Sequence, residues 1–177
     1  MPAVVARVRE LYRESRAFRW AVEIAFLFAI VLAISAFQTR RHLRGPLPAL
    51  SLTTLGGERT SLAAASAGKR TLVYVWSPWC TVCKAESQNI AWVRSIVGDH
   101  ANVVSIAAGW ERVEDVRQYV AERGVQYPVL LGGESVARAL RVEAFPTIYV
   151  IDAQGRISSS VAGYTTTLGL LARLLAA

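Results

Sequence analysis

The only two cysteines of this 177-residue chain stand three apart, at Cys80 and Cys83, in the segment YVWSPWCTVCKAE. The run TLVYVW ahead of them is β-branched and aromatic, which predicts a central strand. After them Val82, Ile90, Val93 and Val97 recur at helical spacing as far as Gly98, a stop signal for a helix. Cys80 is therefore expected at a strand-to-helix junction. A thiol placed there faces unsatisfied backbone N–H groups and the positive end of the helix dipole, and both favour the nucleophilic thiolate. Cys83 returns one turn later, within reach of a mixed disulfide. Thiol–disulfide exchange is the expected chemistry, with Cys80 attacking and Cys83 resolving.

Cysteine pairs at this spacing also hold metals and form static cross-links. A closed zinc site takes about four ligands, and only His42 and His100 are available to join the cysteines. A copper(I) site could use two thiolates, but such sites often recruit methionine or histidine, and the sole methionine is Met1. A purely structural disulfide over so short a loop constrains the unfolded chain little. The redox reading calls for no cofactor and no metal. Two alternatives stay open. One is a copper(I) or cofactor chaperone that uses the cysteine pair without turnover; the other is an anchored scaffold with an inert disulfide. A peroxidase is disfavoured because nothing in the sequence supplies an evident peroxide pocket.

The elements that must position the pair alternate along the chain. PALSLTTLGGERTSL reads as a strand, a turn at Gly56-Gly57 and a second extended piece. NVVSIAA is a strand, and VEDVRQYVAERG a helix with early acids that stops at Gly124. YPVLL is a short strand, with Pro128 at a strand start or sheet edge. ESVARAL is a short helix, TIYVID and RISSSVAG form a hairpin across Asp152–Gly155, and TTTLGLLARLL closes the chain as a helix capped by Thr165 or Thr166. That order predicts an α/β domain over residues 47–177, a mixed sheet with helices on both faces.

The net charge of +7 invites a nucleic-acid reading, but its distribution opposes one. Residues 1–45 hold eight arginines and three acids, while the remaining 132 residues hold 12 basic and 10 acidic side chains. The excess flanks an apolar run rather than marking the domain, so no nucleic acid is expected as a partner. The run, Trp20 to Phe37, has apolar residues on every face and a single charge, Glu23. Its 18 residues span about 27 Å as a helix, near the lower limit for crossing a bilayer. The expected organisation is a basic cytoplasmic head over 1–19, a transmembrane anchor over 20–37, a linker over 38–46, and then the domain, with Pro46 and Pro48 stiffening the junction. The arginine-heavier head stays inside, which places the domain outside the cytoplasm of a single-pass protein in contact with lipid. A cleaved signal peptide fits poorly, because QTRRHLR follows the run directly.

About 65 residues after the cysteines comes VEAFPTIYVID, a proline directly before an apolar strand. Alone this would be an ordinary loop proline. Together with the cysteine motif it resembles the thioredoxin superfamily, over residues 47–177. The resemblance implies a thioredoxin-like fold in which Pro146 is a cis-proline beside the cysteines. It further implies that the backbone of Phe145 pairs with an extended substrate segment by strand addition. Trp76, Trp79 and Gly163 fall where the family has its aromatic flank and late glycine. Trp76 is expected in the core and Trp79 as an exposed contact.

Within the superfamily, the anchor, the LPALSLTTLGGERTSL lead-in and CKAE look like the TlpA/ResA group, with Ala107 to Leu131 as that group's insertion. The ending AGYTTTLGLLARLL is similar to the protein disulfide oxidoreductases of the suppressor-of-copper-sensitivity D (ScsD) type. Such resemblance implies residence in the bacterial inner membrane with the domain in the periplasm. It implies as partners extracytoplasmic proteins with disulfides or thiols, and an integral membrane thiol transporter as electron donor. Four positions depart from the family pattern. Tyr74 occupies the place of thioredoxin's buried acid, with no obvious carboxylate replacing it. Glu86 is expected on the exposed face of its helix. Gln88 replaces a kinking proline, which predicts a straighter helix. Phe145 is bulky and apolar, which restricts docking. The uncharged spacer Thr81-Val82 favours a reductase over a strong oxidant.

Overall fold

The computed structural model describes residues 20–30, 45–66 and 68–177. The chain divides into two compact units, Met1–Arg40 and Arg41–Ala177. In the first unit residues 20–30 are helical, and Trp20, Ile24, Phe26, Leu27 and Phe28 expose most of their surface. Residues 31–37 of the expected membrane span, the basic head over 1–19 and most of the linker lie outside the described residues. Among the described residues no helix is long and apolar enough to cross a membrane.

The second unit is built on one eight-stranded mixed sheet. Its strands are β1 (Gly45–Pro46), β2 (Ser51–Thr54), β3 (Arg59–Ser61), β4 (Thr71–Trp76), β5 (Asn102–Ala107), β6 (Val129–Leu131), β7 (Thr147–Ile151) and β8 (Arg156–Ala162). They lie in the order β1-β8-β7-β4-β5-β6-β2-β3. Strand β4 runs through the middle, parallel to β5 and antiparallel to β7. All six of its residues are buried, as their unbroken β-branched and aromatic character requires of a strand covered on both faces.

Alternation along β4 sorts the core into two layers. Leu72, Tyr74 and Trp76 face one side, and Val73 and Val75 face the other. The first side is covered by α2 (Thr81–Val97), α3 (Val113–Arg123) and α5 (Thr167–Leu175), through Ile90, Val93, Val116, Tyr119, Leu170 and Leu174. The second side carries α1 (Leu62–Ser66) and α4 (Glu134–Ala139), through Leu62 and Val136.

Two short elements are additional to the sequence reading. Strand β1 lies in the segment read as linker and pairs with β8, Gly45 opposite Ile157; a two-residue strand is too short to leave a periodic signal. Helix α1 forms inside the alanine-rich tract, held by Leu62, which is 1% exposed, and by the Ser61 hydroxyl accepting from the Ala64 N–H at 3.1 Å. Pro128 stands just before β6, which pairs with β2 as well as β5 and so is interior. Helix α2 runs unbroken through Gln88, whose N–H, unlike a proline, continues the ladder. Val82 is a correction to the apolar stripe of that helix: it is exposed, because the buried stripe runs through Cys83, Glu86, Ser87, Ile90 and Val93.

Candidate active site

Strand β4 ends at Trp76, and Ser77-Pro78-Trp79 turns the chain into α2 with Cys80 as the N-cap. The Cys80 N–H donates to Ser77 O at 3.1 Å and Cys80 O accepts from Lys84 N–H at 3.3 Å. Cys80 Sγ accepts from the Cys83 N–H at 3.1 Å, doing for the helix end what a serine or aspartate oxygen does elsewhere. The same amide is aimed at the sulfur where a thiolate would carry its charge. The cysteines are joined, with S–S 2.09 Å and Cα–Cα 5.2 Å. Cys80 keeps 5% of its surface exposed and Cys83 none. An incoming sulfur therefore meets Cys80 first.

Cys83 is held from behind. Its carbonyl oxygen accepts from the Tyr74 phenol at 2.8 Å and from the Tyr119 phenol at 2.9 Å. Trp76, fully buried as expected, stacks on Tyr119 with ring centroids 4.1 Å apart. Ser87 and Tyr127 share a hydrogen bond at 3.2 Å in the same layer. Burial raises the Tyr74, Tyr119 and Tyr127 phenols above the ordinary tyrosine range, so these hydroxyls stay protonated.

The rim beside Cys80 comes from three separated segments. Trp79 is 68% exposed, and its Nε1–H donates to Gly109 O at 2.8 Å, where the Ser77 hydroxyl also donates at 3.1 Å. The Trp79 ring meets Phe145 edge-on at 5.6 Å. The Phe145–Pro146 bond is cis, and Pro146 O accepts from the Gly163 N–H at 2.8 Å. Trp79, Phe145, Pro146 and Gly163 are thus linked in one chain of contacts. Gly109, which the sequence reading passed over, has φ +64°, and a Cβ there would sit 3.3 Å from Phe145 Cε2. An open groove of ≈ 410 Å³ runs from Trp79 along α3, past Lys84, Trp110, Glu111, Asp115 and Glu122.

Glu86 corrects the sequence reading most sharply. It is fully buried rather than on the exposed face. Its Oε2 accepts from the Thr165 N–H at 3.0 Å and from Asn89 Nδ2 at 3.4 Å, while Oε1 has no hydrogen-bond partner among the described residues. Burial raises its pKa above the ordinary carboxylate range, against the lowering effect of the bonds from Thr165 and Asn89. The signal was present in the spacing. Glu86 lies three residues after Cys83 and four before Ile90, which puts it on the same helix face. This site does own a buried carboxyl, one turn beyond Cys83 on α2. Among the described residues no group of three or more His, Cys, Asp or Glu could hold a metal ion.

Residues 43–160 match the AhpC/TSA family. The chain is 28% identical over 121 residues to the thioredoxin-like protein YneN of Bacillus subtilis, covering 67% of this chain and 71% of that one. It is 30% identical over 123 residues to the thiol:disulfide interchange protein HelX of Rhodobacter capsulatus, covering 67% of each. A solved structure of a thioredoxin-family thiol:disulfide interchange protein from Chlorobium tepidum superposes with TM-score 0.66 at 26% identity, over 76% of this chain and 97% of that one.

Proposed function

The chain belongs to the AhpC/TSA family and has a thioredoxin-like fold, and on that premise we propose that it is a membrane-anchored, extracytoplasmic reductase of protein disulfides. It is a protein disulfide oxidoreductase. The observation that carries the reading is the asymmetric pair at the start of α2, with Cys80 reachable and Cys83 fully buried. In the reductive cycle the Cys80 thiolate attacks a partner disulfide, forming a mixed disulfide and releasing one partner thiolate. Cys83 then attacks Cys80 Sγ, the second partner sulfur leaves, and the Cys80–Cys83 bond forms. The partner gains two electrons and the pair loses them; the two thiol protons end on the partner sulfurs.

Trp79, Phe145, Pro146 and Gly163 form the proposed substrate rim, with the Phe145 backbone receiving an extended partner segment. The uncharged Thr81-Val82 spacer supports the reducing direction, since no side chain between the cysteines adds stabilisation to the dithiol form. The apolar helical stretch at 20–30 with its arginine-rich flank supports a single-pass anchor in the bacterial inner membrane with the domain in the periplasm. The resemblance to the ScsD-type members of the TlpA/ResA group implies a membrane thiol transporter as the source of electrons.

Replacing Cys83 with alanine is the direct test. The variant is expected to accumulate mixed disulfides through Cys80, and the trapped proteins are the substrates. A chaperone or scaffold would trap nothing. Equilibration with glutathione tests direction: a potential more oxidising than about −180 mV, that of protein disulfide isomerase, would overturn the reductase assignment.

A further inference from the structure

Two phenols converge on one backbone oxygen, and that oxygen belongs to the buried cysteine. We propose that Tyr74 and Tyr119 are positioning residues for the resolving step of the exchange, acting through the Cys83 carbonyl. The proposal deepens the oxidoreductase reading and rests on it.

The two donors come from different elements. Tyr74 is on β4 and Tyr119 on α3, and their hydroxyls reach Cys83 O at 2.8 and 2.9 Å. Tyr74 occupies the position six before the attacking cysteine. Tyr119 belongs to the segment between β5 and β6, so a helix from that segment reaches the Cys83 carbonyl through this hydroxyl. Both rings are buried, Tyr74 completely, and Tyr119 is fixed further by its stack on Trp76. Neither hydroxyl is free to swing to water.

Resolution asks an awkward thing of Cys83. Its thiol must lose a proton and attack Cys80 Sγ while it has no exposed surface. Without water, the forming thiolate depends on fixed dipoles. One unfavourable dipole is its own peptide carbonyl, negative at the oxygen. Two O–H donors on that oxygen offset its charge and hold the first turn of α2 in register with β4 and α3. Removing one leaves a buried carbonyl with fewer donors, in a medium where such a loss is felt strongly. The first attack, by Cys80 at the N-cap, does not pass through this carbonyl. Electrons and protons balance as before: the Cys83 sulfur forms the internal disulfide, the partner thiolate leaves, and the proton lost by Cys83 ends on that leaving sulfur.

The test uses the full 177-residue chain, reduced and mixed with oxidised glutathione as the probe disulfide, with the mixed disulfide followed by quenching and mass analysis. Tyr74→Phe and Tyr119→Phe keep the rings and so the packing. Each is expected to leave formation of the mixed disulfide unchanged within about twofold and to slow its collapse about threefold to tenfold, the size of one neutral hydrogen bond. The slowing should shrink as pH rises and Cys83 ionises more readily. Equal slowing of both steps, or none in either the single variants or the double variant, would overturn the proposal. A wild-type chain that forms no mixed disulfide would instead overturn the exchange reading beneath it. Thermal melts separate the effect from unfolding, since a purely structural role would lower the midpoint without splitting the two rates.

Discussion

The Glu86 carboxylate accepts a hydrogen bond from the backbone N–H of Thr165 at 3.0 Å, which ties the turn of α2 just beyond Cys83 to the entrance of the last helix. The bond spans 79 residues of sequence. It joins the element that presents the cysteines to the loop that follows Gly163 on the proposed substrate rim. Asn89 strengthens the joint, donating to Thr165 O at 3.0 Å and accepting from the Thr167 hydroxyl at 3.2 Å.

Burial raises the Glu86 pKa above its ordinary 4.5, and this sets the sign of a pH effect. The folded chain binds this proton more tightly than the unfolded chain. Its stabilising contribution is therefore complete below the unfolded value and is lost as pH rises from there through the folded pKa. Glu86→Gln keeps an acceptor for Thr165 and cannot ionise. Its thermal midpoint should match wild type near pH 4 and exceed it increasingly toward about pH 8. A difference that stays constant with pH would show that the carboxyl titrates alike in both states.

Trp79 is exposed, yet it is fastened by Gly109 O and leans on Phe145. The proposed role of Trp79 as a partner contact follows from an exposed aromatic ring held in place, which is not a core residue of the fold. Trp79→Ala should lower the rate with a protein disulfide by about tenfold while shifting stability by less than about 1 kcal/mol. Glutathione disulfide, too small to span the rim, should react at the wild-type rate. Equal losses with both substrates would place the role of Trp79 at Cys80 itself.

Gly132 closes the end of β6, where its N–H donates to Ala107 O at 2.8 Å. A Cβ there would fall 2.7 Å from Ile106 Cγ2 and 3.1 Å from Val136 Cγ1. Both neighbours are branched and buried, so they cannot swing aside. Gly132→Ala should cost about 1–3 kcal/mol, visible as a lower urea midpoint at unchanged slope. Exchange activity of the folded fraction should persist.

Thr166 caps α5, its hydroxyl accepting from the Gly169 N–H at 3.2 Å. Thr166→Ala should cost about 1 kcal/mol, and Thr166→Ser should recover most of it. A loss with alanine that serine does not recover would assign the effect to the threonine methyl group.

Much of this molecule is legible in its sequence. Helix α2 showed in Ile90, Val93 and Val97, the last hairpin in Asp152–Gly155, and the final cap in the threonine run. What escaped had a common cause. Strand β1 and helix α1 are too short to carry a period, and they exist because β8 and the second core layer receive them. Glu86 escapes a sequence reading because charged side chains are usually exposed; its buried carboxylate is met by Thr165 from the far end of the chain as well as by Asn89 on its own helix.

The sequence by itself determined the chemistry: two cysteines three apart at a strand-to-helix junction, a proline before a later strand, and too few other ligands for a closed zinc site. Those are local facts, set by residue type and spacing. Only the tertiary structure decided which groups surround the pair. Tyr74 sits nine residues from Cys83 and Tyr119 thirty-six, yet both meet the same carbonyl, because β4 and α3 pack against one face of α2. The phenol contacts and the raised carboxyl pKa are properties of that packing, and no periodicity along the chain encodes them.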